Sequence, residues 1–127
     1  MRCGRGKVVV FSKHSGSLFG YASTLNTLGY YSLSLCHHFN EVIELLEKRK
    51  RFEYLIFDAF DLGLDAGALQ ELARYRAIDS IIAVADVNSR QRQSVIFWAR
   101  AHEIPLGGVL QTPLRSPELL GVMECAG

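Results

Sequence analysis

The sequence predicts an α/β domain built on a doubly wound, five-stranded parallel sheet with helices on both faces. Five β-type runs alternate with helix-type stretches along the whole chain. Most of these runs are continuously apolar, as in strands covered on both sides, and strand-then-helix order implies right-handed crossovers. The chain has 127 residues, 49% of them hydrophobic, enough for one domain, 1–127, with a real core.

The first run, Lys7–Ser12, is β-branched and continuous. Ser15-Gly16-Ser17 leads into a helix whose apolar stripe is Leu18, Tyr21, Ala22, Leu25 and Leu28, and Gly29 is its stop. Tyr30–Cys36 is short and alternates, as near a sheet edge. Asn40 is the expected cap of a second helix that turns Val42, Ile43, Leu45 and Leu46 inward and ends in Lys48-Arg49-Lys50-Arg51. Four cations there complement the helix dipole, so the run reads as a solvated last turn. Phe52–Asp58 is the third strand. Asp61 to Gly67, with two glycines, reads as a loop before a helix over Ala68–Tyr75. Ser80–Ala85 is the fourth strand, and Asn88 or Ser89 caps a long helix carrying Val95, Ile96, Trp98 and Ala99. Gly107–Gln111 is the fifth strand, and Ser116-Pro117-Glu118 starts a final helix.

The net charge of +1 implies neither a nucleic-acid surface nor an acidic tail. No apolar stretch approaches a membrane span, and the N-terminal run is too short for a signal peptide. Three scattered cysteines, Cys3, Cys36 and Cys125, form no disulfide framework and suit a reducing cytoplasm.

Sheets of this kind place functional residues at the carboxyl ends of strands. That selects Ser12, Lys13 and His14, then Asp58, then Ala85 and Asp86, then Thr112 and Pro113. The five-fold βα order, the LIFD strand ending on Asp58, the GVLQTPLRSPELL ending and the spacing from Lys13 to Asp58 together resemble the receiver domain of two-component response regulators. The resemblance covers nearly the whole chain. It implies a flavodoxin-like sheet of order 2-1-3-4-5 and a non-enzymatic role in signal transduction and phosphorelay. The longer stretch from Trp98 to Pro113 is similar to receivers that precede cyclic-di-GMP phosphodiesterase domains of the Glu-Ala-Leu type. On that resemblance the chain is a stand-alone domain or the N-terminal fragment of a longer regulator.

Asp58 holds the position of the family's phosphoacceptor. Phosphoryl transfer to a carboxylate brings negative charges together and needs a hard cation held by acids. The resemblance places two such acids at Ser12 and Lys13, where a hydroxyl ligates poorly and an ammonium repels the metal. The family's serine or threonine after strand four is Ala85, its lysine before the turn proline is Thr112, and its switch aromatic is Val109. Pro113 is retained, and the resemblance implies a cis Thr112–Pro113 bond. The pocket thus reads as degenerate: a pseudo-receiver, with weak or absent Mg²⁺ binding and no useful phosphorylation of Asp58. Lys13 is then expected either to pair with Asp58 as a fixed cation or to face solvent while Asp58 accepts backbone N–H bonds.

The expected role is a protein-interaction module. It presents its helix-four, strand-five, helix-five face to an output domain or partner, and a second copy of the chain is one candidate. Ile96, Phe97 and Trp98 are three large apolar neighbours that one helix cannot all turn inward, so one of them marks a contact. A flavodoxin-like nucleotide- or anion-binding protein is the alternative, with Ser12–Ser17 cradling the anion. A third is a working receiver with an altered metal arrangement through Asp61 or Asp86. Cys36-His37-His38 lacks a distant ligand for a metal, His14 lacks a nucleophile to serve, and Gly4-Arg5-Gly6-Lys7 precedes a strand, unlike a phosphate loop.

Overall fold

In the computed structural model, residues 6–111 together with Glu118, Leu119 and Gly121 are described. The order of elements is β1 (Val8–Phe11), α1 (Ser15–Thr27), β2 (Leu33–Cys36), α2 (Phe39–Glu47), β3 (Phe52–Phe57), α3 (Leu62–Arg74), β4 (Ile78–Ala85), α4 (Ser89–Ala101) and β5 (Leu106–Gln111). All neighbouring strands run parallel in the order β2-β1-β3-β4-β5, as expected. Glu118, Leu119 and Gly121 are helical, while Ser116 and Pro117, the expected cap of that helix, lie outside the described residues.

The period of two along each strand divides the core between the two faces. Val9, Phe11, Leu55, Phe57, Ile81 and Ala83 meet Val42, Leu46, Leu69, Leu72, Val95 and Ala99 from α2, α3 and α4. Val8, Val10, Tyr54, Ile56, Ile82 and Val84 meet Leu18, Tyr21 and Leu25 of α1, and Leu119. Covering both faces is why the strands read as unbroken apolar runs. Each wholly buried valine, leucine or isoleucine contributes roughly 1.5–3 kcal/mol.

Several boundaries differ from the expectation. The α2 helix begins at Phe39, with His38 and not Asn40 at its N-cap. Glu41 Oε1 accepts the backbone N–H groups of His37 at 2.7 Å and His38 at 2.9 Å, so a first-turn carboxylate satisfies the helix entrance. Those two N–H groups, His38's first, hold the Glu41 carboxyl below the usual range. The α3 helix starts at Leu62, six residues before the expected Ala68, so the supposed loop of residues 61–67 is its cap and first turns. Asp61 Oδ1 accepts from Gly63 N at 3.0 Å and outweighs the two glycines. At α4 the cap is Asn88, whose Oδ1 accepts from Gln91 N at 2.8 Å while Gln91 Oε1 accepts from Asn88 N at 2.9 Å. Gly29 ends α1 at φ 96°, a conformation only glycine adopts without strain.

Candidate functional site

Strand parity and register build the site. Val8 and Val10 face α1, so Ser12 continues on that side. Tyr54 and Ile56 do the same, so Asp58 follows them. Phe11 lies opposite Phe57 in the parallel pairing, which brings the next residues, Ser12 and Asp58, side by side. Asp58 N donates to Phe11 O at 2.9 Å and fixes that turn.

Both carboxylate oxygens of Asp58 are occupied by hydroxyl donors. Tyr21 Oη donates to Oδ1 at 2.5 Å, and Ser12 Oγ donates to Oδ2 at 2.8 Å. Ser12 Oγ also accepts His14 N–H at 3.1 Å. Asp58 is 8% exposed and Ser12 fully buried. Burial first, then the Asp58 hydrogen bond and charge, holds the Tyr21 phenol well above its usual pKa of 10.0. It therefore remains a donor at neutral pH. Tyr21 belonged to the expected apolar stripe of α1, but periodicity alone gave no sign that its hydroxyl reaches Asp58.

Lys13 does not pair with Asp58. It has the parity of Val9 and Phe11 and so leans toward the opposite face, where its Nζ meets Asp65 Oδ1 on α3 at 3.2 Å. Asp65 is buried, and its Oδ2 accepts from Asp61 N at 2.9 Å, so one carboxylate ties β1 to the α3 cap. Asp58 does not take its bonds from its own loop's backbone either. The Lys13 side chain is 49% exposed, so Lys13→Ala should cost only about 0.5–1 kcal/mol in urea unfolding. A loss several times larger would mean that the ammonium also holds Asp58.

The other expected site residues are spread around this centre. Ala85, last in β4, and Val109 in β5 are buried on the α4 side of the sheet. Gln111 Nε2 donates to Val87 O and ties the end of β5 to the loop before α4. Thr112 and Pro113, with the bond between them, lie outside the described residues. Asp61 and Asp86 are exposed and border a cleft of about 510 Å³ that Phe60, Leu62, Gln91 and Val95 also line. Asp58 does not face it. Of the three apolar neighbours on α4, Phe97 is the exposed one at 62%, while Ile96 and Trp98 are half-buried against the core.

His14 precedes α1 with no side-chain capping bond and is exposed. Cys36 is buried, and burial, then the Glu41 charge, pushes its thiol up to about 11, a protonated and poorly ligating form. His37 Nδ1 lies 3.2 Å from Ser12 O, and His38 is exposed. Gly6 N donates to Glu53 Oε1 at 2.9 Å, which pins the start of β1, while Gly4 and Arg5 lie outside the described residues.

The Mg²⁺ implied by the resemblance does not fit this centre. A hard divalent cation takes several oxygen ligands, chiefly carboxylates. Here one carboxylate is met by two hydroxyl hydrogens, and the adjacent cation, Lys13, is already committed to Asp65. Among the described residues, no three histidine, cysteine or acidic side chains stand close enough to hold an ion. Nor, among them, is any helix long and apolar enough to cross a membrane.

No family model matches the chain, and no curated protein matches it in sequence. Solved structures do match in fold. A receiver domain protein from Methanospirillum hungatei superposes with a TM-score of 0.73 at 16% identity, over 94% of this chain and 91% of that one. The receiver domain of a modulated diguanylate cyclase from Desulfovibrio desulfuricans gives 0.69 at 19% identity, over 95% and 92%. A protein named as pilus assembly-related from Burkholderia pseudomallei gives 0.74 at 19% identity, over 94% and 87%. With its strand order, its helices on both faces and an aspartate emerging from β3, this chain has the fold of the response-regulator receiver domains.

Proposed function

We propose that the chain is an atypical receiver, a signalling and protein-interaction module whose state is not set by phosphorylation of Asp58. The observation that carries this reading is the pair of hydroxyl bonds on the Asp58 carboxylate, from Tyr21 and Ser12. An acceptor oxygen must be free to attack phosphorus and needs a cation to offset the incoming charge. Here either oxygen must first give up its hydroxyl donor, a hydrogen bond to a charged group of roughly 1.5–3 kcal/mol, with no acidic pair to recruit the metal. Fold alone does not choose the function. Receivers and proteins named for pilus assembly share it, so the reading rests on the residues around Asp58.

The partner, an output domain or a second copy, would meet the α4–β5 side, where Phe97 stands exposed between two half-buried neighbours. Control then comes from a ligand, a partner or concentration acting on a conformational equilibrium. The anion-binding alternative, the Ser12–Ser17 loop, is less favoured because two of its groups, Ser12 and the counter-charge Lys13, are already bonded to Asp58 and Asp65.

Intact mass after incubation with acetyl phosphate and Mg²⁺ tests the reading, with Asp58→Asn alongside. The expected result is no phosphoryl adduct under conditions that modify an ordinary receiver. An adduct that vanishes in Asp58→Asn would overturn it.

A further inference from the structure

The end of the molecule opposite Asp58, where the strands begin and α2 and α3 finish, concentrates positive charge. Lys48, Arg49, Lys50 and Arg51 follow α2, and Arg74 and Arg76 close α3. Arg49, Arg51 and Arg76 line one cleft of about 540 Å³ with Tyr75 and Glu47. Arg76 also lines an adjoining cleft of about 610 Å³ with Arg74, so the surface is continuous.

The nearest acids, Glu47, Glu71, Asp79 and Glu103, offset only part of it, since six cations stand against four carboxylates. Glu47 lines the same cleft beside Tyr75. Asp79 is held by Arg51 Nη2 at 3.3 Å, while Arg51 Nη1 donates to Arg76 O at 3.1 Å. Among the described residues, Lys48, Arg49, Lys50, Arg74 and Arg76 make no ion pair, and Glu71 and Glu103 are the other acids close by. One cation in a last turn is enough to complement a helix dipole. A cluster of unpaired ones repels itself and gains stability when an anion arrives.

We propose that this edge docks an acidic protein segment, with Arg49 and Arg76 as its carboxylate-binding centre. Guanidinium groups on one cleft suit bidentate carboxylate contacts. The chain's net charge is only +1, so the positive field is local. It fits a short acidic stretch on a partner rather than a nucleic acid, which favours a basic domain as a whole. The proposal is independent of whether Asp58 is phosphorylated.

Fluorescence anisotropy with a labelled polyglutamate peptide tests it. The whole chain should bind saturably at low salt and weaken as salt rises. Arg49→Gln with Arg76→Gln should weaken binding about tenfold, two exposed charge contacts being lost. Arg90→Gln with Arg92→Gln removes equal charge from the start of α4 and should change it little. Arg49 and Arg76 have φ of 63° and 54°, where glycine is relaxed. Arg49→Gly with Arg76→Gly should therefore raise the melting temperature while binding falls, which separates docking from folding. No saturable binding, equal loss in the Arg90 and Arg92 variant, or tighter binding of oligo-dT or phosphatidylserine vesicles would overturn the proposal.

Discussion

Asp58→Ala should lower folding stability by about 3 kcal/mol, because two charge-assisted hydrogen bonds disappear and the largely buried Tyr21 hydroxyl loses its acceptor, while Ser12 Oγ keeps His14 O at 3.1 Å. At roughly 4 °C per kcal/mol for a domain of this size, the melting temperature should fall by about 12 °C. Asp58→Asn should cost less, about 1 kcal/mol, since the amide oxygen still accepts one hydroxyl and the amide N–H can donate to the other hydroxyl oxygen. The sign is the informative part. An aspartate crowded by other acids, as the resemblance would place it, is relieved by neutralisation, and its replacement leaves stability unchanged or raised. Asp58 instead sits between Tyr21 and Ser12, so its replacement should be costly. A double-mutant cycle between Asp58→Ala and Tyr21→Phe isolates the shorter bond, and a coupling of about 1.5–2 kcal/mol is expected. Additive losses, or an Asp58→Ala protein at least as stable as the parent, would show that the hydroxyls do not hold the carboxylate.

Much of this arrangement was legible in the sequence. The β-branched runs of β1, β3 and β4 carry their burial on both faces in their composition, and the alternation of runs gives a doubly wound parallel sheet once crossovers are right-handed, while the order 2-1-3-4-5 came from the family resemblance. The emergence of Asp58 from β3 follows from the same pattern. Three features of the site were harder to read. Tyr21 fits the stripe of α1 equally well as a plain core residue, and periodicity says nothing about a hydroxyl reaching a partner 37 positions away. Lys13 was expected either to pair with Asp58, as a fixed cation in place of the metal, or to face solvent, and it does neither. Strand parity already argues otherwise: Ser12 shares a side with Val8 and Val10, and Lys13 shares one with Val9 and Phe11. Its true partner, Asp65, was hidden because Gly63 and Gly67 made the start of α3 look like a loop. A cap at Asp61 and a carboxylate one turn later offset their poor helix propensity. The N-cap of α2 was misplaced for a similar reason. His38 is an uncommon cap, and the signal lay three residues on, in Glu41.

Raising the pH should erase the advantage that Tyr21 gives. Tyr21→Phe is expected to be about 2 kcal/mol less stable than the parent near neutrality, where the bond to Asp58 is intact. In the folded chain, burial, then Asp58, keeps the Tyr21 phenol protonated well above its usual pKa of 10.0. The unfolded chain releases that proton near the usual value. Above it the unfolded state binds fewer protons than the folded state, so stability falls as pH rises, approaching about 1.4 kcal/mol per pH unit for one such group. The contribution is fully present below the unfolded pKa and drains away above it. The phenylalanine variant has no proton to lose there, so the gap should close between about pH 11 and 12. Cys36 behaves with the same sign, its thiol being raised from 9.0 to about 11, so it weakens the fold from the unfolded value upward. Both proteins carry it, and it cancels in the difference. Urea unfolding of the pair at intervals from pH 8 upward measures the gap directly. A gap that stays constant across that range would mean the Tyr21 hydroxyl is not the group that holds Asp58. The carboxylate would then be open to other partners, and only the replaced residues around it, Ser12, Lys13, Ala85, Val109 and Thr112, would speak against its phosphorylation.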